Sequence, residues 1–121
     1  DILWGPTTDG EDIKNRMISN KLNETNRPTA IFCSDDTEAE RVFWTAHEMG
    51  LKVPDDLAII GFGNSVREGI VRKRLAAVTV SEFDLGKKAV GLLAEMQSGR
   101  RELTDNEVFQ IELDFVPGVT A

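Results

Sequence analysis

One cysteine, Cys33, stands among 121 residues, so no intrachain disulfide is available and a reducing compartment suits the chain. Cys33 sits inside an apolar stretch, where a lone thiol reads as a small core residue rather than a nucleophile. Histidine is equally scarce. His47 is the only one, which leaves no cluster of metal ligands and no acid–base partner for a nucleophile. Basic residues are the minority, 14 against 21 acidic, for a net charge of −7. A segment so acidic does not grip phosphate backbones by itself. No apolar run approaches the ~18 residues that span a bilayer. No positive stretch followed by an apolar one opens the chain, so no signal peptide is expected.

What is present is an ordinary soluble composition, 40% apolar and 29% charged, enough for one domain with a modest core. Thr8-Asp9-Gly10-Glu11 fits a capping box, and Ile13, Met17, Ile18 and Leu22 give an apolar side to a helix ending near Glu24. Asn26-Arg27-Pro28 breaks it. A strand over 29–33 follows, then a helix from about Thr37 to Met49 with Gly50 as its left-handed cap. Val53-Pro54-Asp55-Asp56 turns into a strand over 57–61 whose apolar run does not alternate, the pattern of a strand buried on both faces. Further strands are read over 75–80 and 108–115. Between them Ser81-Glu82-Phe83-Asp84 caps a helix with Phe83, Leu85, Val90, Leu92, Leu93 and Met96 on its apolar side. The order α-β-α-β-β-α-β defines a wound α/β architecture.

In such a sheet, ligands are met beyond the carboxyl ends of the strands. Those ends carry Ser34, Asp35 and Asp36, and the turn Gly61-Phe62-Gly63-Asn64. Asp35 fits either a ligand contact or a helix cap, and Asp36 is the expected cap. Gly63 fits either a cleft lip or a plain turn that needs glycine angles. Two adjacent carboxylates at a helix start point apart, so a catalytic pair is not expected, and Gly61-x-Gly63 lacks the third glycine of a dinucleotide loop. On the helix from Thr37 to Met49, Trp44 projects away from the apolar side, near Glu40, His47 and Glu48. An aromatic on a charged face fits either a partner surface or a ring lying flat on its own helix. The basic group Arg67, Arg72, Lys73 and Arg74 lacks interleaved aromatics and reads as a solvated or interface-flanking face.

Several phrases at fixed spacing carry a resemblance: Pro28-Thr29-Ala30-Ile31-Phe32, Asp36 with Ala39, Gly50-Leu51-Lys52-Val53-Pro54-Asp55-Asp56, Ile59-Ile60-Gly61-Phe62, Arg74-Leu75 with Val78, and Leu85-Gly86-Lys87-Lys88-Ala89. The chain resembles the carboxyl-terminal part of the effector domain of LacI/GalR-type transcription repressors. Gly-Phe-Gly with Arg-Leu-Ala is similar to the gluconate-repressor branch. The resemblance implies a partial periplasmic-binding-protein-like (type I) parallel-sheet sandwich. Residues 1–77 would lie mainly in one subdomain, about 78–105 would cross to the other, and about 106–121 would hold a return strand. The family's DNA-binding domain is absent from this stretch.

The same resemblance implies a sugar or sugar-acid effector held by Asp35, Asp36, Phe62, Gly63, Asn64, Val80 and Glu82. Glu82 fits equally a first-turn carboxylate facing the helix dipole. A homodimer would form through Glu40, Trp44, His47 and Glu48, with Ile70 and Val71 adding to the contact. Operator DNA would be met only through the missing domain. No catalysis, cofactor or metal is expected, and the setting is cytoplasmic. The alternative on the same fold is a solute-binding protein of a sugar transporter. Many members carry an Asp after Gly-Phe, where this chain has Gly63. The usual Pro-Leu-Thr-Thr is Arg74-Leu75-Ala76-Ala77, and the common Arg near the end gives way to Pro117 or Gly118.

Overall fold

The computed structural model describes residues 10–63, 71, 74–102 and 108–121. Seven elements follow in the order expected: α1 (Glu11–Leu22), β1 (Ala30–Phe32), α2 (Asp36–Glu48), β2 (Ala58–Gly63), β3 (Ala76–Val80), α3 (Glu82–Gln97) and β4 (Leu113–Val116). The strands form one sheet in the order β1-β2-β3-β4. β1, β2 and β3 are parallel, in register Phe32 with Ile60 and Gly63 with Thr79. β4 returns antiparallel, with Leu113 opposite Val80 and Val116 opposite Ala77.

Several boundaries shift for local reasons. α1 starts from Gly10, which makes no side-chain cap bond; the expected Thr8 cap lies outside the described residues. Asp35, not Asp36, caps α2, its Oδ1 accepting the Glu38 N–H at 2.8 Å. A cap residue must have extended angles, and Asp35 has φ −159° where Asp36 is already helical. β4 is four residues long, so the strand expected from Val108 begins only at Leu113. Gly50, at φ +76°, ends α2 as expected. Ser81 caps α3 by accepting the Asp84 N–H at 3.2 Å.

The core lies on one side of the sheet. Ile18 and Leu22 of α1 and Ala39, Val42 and Ala46 of α2 pack with Ile31, Cys33, Leu57, Ile59 and Leu75. Side chains two apart share a face of a strand, so Cys33, Ile59 and Gly61 look toward the helices while Phe32, Ile60, Phe62, Val78, Leu113 and Phe115 look the other way. α1 is tied to α2 by Lys14 Nζ to Glu38 Oε1 at 2.8 Å, and Arg41 closes on Glu38 at 3.1 Å and on Asn15 at 3.2 Å. Ile13, expected on the apolar side of α1, is exposed. α3 buries none of its residues.

Candidate functional site

The three parallel strands deliver their carboxyl ends to one edge of the sheet. β1 leads through Cys33 and Ser34 into Asp35 and Asp36, β2 ends at Phe62 and Gly63, and β3 ends at Val80 beside the Ser81 cap. Cys33 N–H donates to Ile60 O at 2.8 Å, which holds the β1 loop against β2. Asp36 is buried beside Gly61, where a Cβ would collide with its Oδ1. That glycine is required by packing, because the Asp36 carboxylate occupies the space a side chain would fill.

Asp35 is exposed. One oxygen caps α2, and Oδ2 accepts the Ser34 hydroxyl at 3.2 Å. A cap uses one carboxylate oxygen, leaving lone pairs on the other for a further donor. The two roles offered for Asp35 are therefore compatible. Gly63 has φ +110°, and among the described residues nothing lies within 4 Å of the position of its missing Cβ. The residue thus supplies a backbone angle and open space at the lip. Phe62 meets Phe32 edge-on with ring centroids 6.3 Å apart, forming an aromatic shelf below that lip. Phe32 carries no signal of its own in the sequence, because the run Ala30-Ile31-Phe32-Cys33 is apolar throughout and only the sheet decides that Phe32 faces away from the core. Glu82 is exposed in the first turn of α3, with Asp84, where negative charge faces the helix amino terminus. Asn64 lies outside the described residues.

Cys33 is buried on the helix-facing side of the sheet. Its thiol is pushed up from 9.0 to about 12, first by burial and then by the charges of Asp35, Glu38 and Asp36. It stays protonated at neutral pH. Among the described residues no group of three or more His, Cys, Asp or Glu is placed to hold a metal ion.

A second feature lies on the flank of α2. Trp44 is 48% exposed and meets Phe43 and His47 edge-on at 5.5 and 5.9 Å. Glu48 is exposed and Glu40 half-buried on the same helix. Phe43, Trp44, His47, Val71 and Arg74 line a groove of about 350 Å³. Val71, expected to add to a dimer contact, belongs to the core cluster and also lines the groove. Ile70, Arg67, Arg72 and Lys73 lie outside the described residues.

The fold is thus a parallel-dominated α/β sheet with α1 and α2 packed on one face and polar groups gathered at its carboxyl edge. The family model of the periplasmic binding protein-like domain matches residues 4–118, and the chain belongs to that family. Catabolite control protein A of Priestia megaterium is 36% identical over 94 residues, covering 78% of this chain and 28% of that protein. The HTH-type transcriptional repressor PurR of Klebsiella pneumoniae subsp. pneumoniae is 33% identical over 87 residues, covering 72% of this chain and 26% of the repressor. A regulatory protein of the LacI family from Chloroflexus aggregans superposes with a TM-score of 0.76 at 26% identity, covering 96% of this chain and 41% of that one. The chain thus spans about a quarter of the length of the two curated relatives. The second and third of these are by name a transcriptional repressor and a regulatory protein. No described helix is long and apolar enough to cross a membrane.

Proposed function

We propose that this chain is the effector-sensing and dimerisation segment of a LacI/GalR-type transcriptional regulator. The observation that carries the reading is the convergence of Asp35, Gly63 and Val80 on one edge of a sheet whose family model matches nearly the whole chain. A sugar or sugar acid would sit over that edge, touching Asp35, Phe62, Gly63, Asn64 and Val80, with Glu82 at the margin. Asp36 is buried, so its part is to hold the loop that presents Asp35. The similarity to named repressors favours this over a transporter's solute-binding protein.

Gluconate-like acids are the leading class. Two like charges 4 Å apart repel by ~4 kcal/mol at an effective dielectric near 20, so an acid avoids a lip that carries a carboxylate. Gly63 offers no charge and open space. The acid's carboxylate would lie at Gly63 and its hydroxyls toward Asp35, whose oxygens accept hydrogen bonds. Trp44, Glu40, His47 and Glu48, with Ile70 and Val71, would meet a second copy. Effector binding would favour one domain arrangement over another by differential affinity. Operator DNA would be read by a domain outside this segment, in the cytoplasm.

Calorimetric titration of the full-length protein with gluconate, related sugar acids and neutral hexoses tests the reading. Saturable binding of an acid, weakened about tenfold or more by Asp35→Ala, is expected. Asp35→Asn keeps the cap and so separates lost contact from lost helix stability. Binding of neutral hexoses alone would overturn the sugar-acid reading, and no binding by a folded protein would overturn the sugar class.

A further inference from the structure

Thr120, in the tail beyond β4, is among the most buried side chains of the molecule, at 1% exposure. Its hydroxyl donates to Ile59 O at 2.8 Å and accepts the Ala76 N–H at 2.9 Å. Its own carbonyl accepts the Ile59 N–H at 2.6 Å, and Val119 N–H donates to Arg74 O at 2.8 Å. Gly118 brings the tail so close to the start of β3 that a Cβ would collide with the backbone of Arg74, Leu75 and Ala76. The tail is thus fastened at the amino ends of β2 and β3, opposite the edge that carries Gly63 and Val80. One hydroxyl relays a rung between Ile59 C=O and Ala76 N–H. Both are buried backbone groups that need a partner.

We propose that Thr120 is a positioning residue: its hydroxyl clips β2 to β3 at their start and holds the two strands level as far as the cleft lip. The consequence for an effector rests on the cleft reading above; the clip itself does not. Amide hydrogen exchange on the full-length protein tests it, comparing wild type with Thr120→Val, Thr120→Ser and Thr120→Ala. Valine keeps the shape, removes the hydroxyl and bars water from the gap. Exchange at Ala76 should quicken about tenfold or more with valine, with smaller increases along Val78, Thr79, Phe62 and Gly63, while Val42 and Ala46 of α2 keep their protection. Serine should restore the wild-type pattern. If valine does not fold, alanine reads the same amides, with milder increases where a water replaces the hydroxyl. An effect confined to Ala76 overturns the positioning role. Equal acceleration throughout α2 means a general loss of stability and overturns it also, as do failure of serine to restore protection and unchanged exchange in both valine and alanine. Gluconate binding plays no part in these readouts, so a failed effector assignment leaves the outcome decisive.

Discussion

On the side of the sheet that faces α1 and α2, Ile59 and Ala77 are fully buried; on the other side Phe32 and Phe115 are 62% and 57% exposed. Both sides are apolar at most strand positions. The difference is what each side meets. α1 and α2 give the first side a packed layer, while α3 buries none of its residues against the second. An apolar sheet face is stable only against another layer, so the second side is built to be covered, and although Ala76 is buried there, Phe32, Leu113 and Phe115 lack such cover among the described residues. In the proposed family architecture that cover comes from the rest of the domain. The site lies at the boundary between these two regimes: Asp35 and Gly61 belong to the packed side, and Phe32 and Phe62 open onto the bare one.

The largest effect that would sharpen the contrast is a cavity on each side. Ile59→Ala should cost about 3 kcal/mol in urea unfolding of the 121-residue chain, whereas Phe115→Ala should cost less than about 1 kcal/mol. Equal losses would show the second side to be packed in solution, against another copy. Next is Gly61→Ala, which drives a methyl into the Asp36 carboxylate and should cost about 2 kcal/mol by overpacking. An unchanged urea midpoint would mean that the β1 loop has room to retreat.

A pH series probes the packed side through Cys33. Burial raises its folded value above the ordinary 9.0, to about 12, so the protonated thiol is the form the fold accommodates. Its contribution is intact below pH 9 and is lost as pH rises from 9 toward 12, by at most ~1.4 kcal/mol per pH unit. Urea midpoints of wild type should fall faster over that range than those of Cys33→Ala; parallel curves would show that the thiol is not sealed from water. The smallest effect belongs to the cap. Asp35→Ala should cost about 1 kcal/mol and Asp35→Asn only a few tenths, read from the same unfolding curves. Equal costs would mean that the carboxylate charge, not the cap bond, supports α2.

Much of the fold was legible because its punctuation is local. Pro28, Gly50, the Val53–Asp56 turn and Ser81 each act through the angles and hydrogen bonds of one or two residues, so they mark element ends without reference to distant contacts. The Asp35–Asp36 pair was legible as a helix start, but the cap was placed one residue late. Both residues are chemically able to cap, and only the path of the chain out of β1 decides which has extended angles. Val108 to Glu112 read as strand on composition, yet hydrogen bonding to β3 begins at Leu113, and pairing is a property of two strands. Nothing local marks Thr120, because a lone threonine after a strand is read as surface. Its importance comes from Ile59 and Ala76, 61 and 44 residues away.

By itself the sequence determined the α-β-α-β-β-α-β order, the apolar strands, the gathering of Asp35, Asp36 and Gly63 behind them, and the family phrases from Pro28 to Ala89. These follow from local propensity, short-range periodicity and fixed spacing. Only the tertiary structure decided which sheet face is covered, that β4 runs antiparallel, that Asp36 is buried against Gly61 while Asp35 stays exposed, and that the tail is clipped between β2 and β3. Each of those depends on residues far apart in the chain meeting in space, and on how much apolar surface a neighbouring element is there to cover.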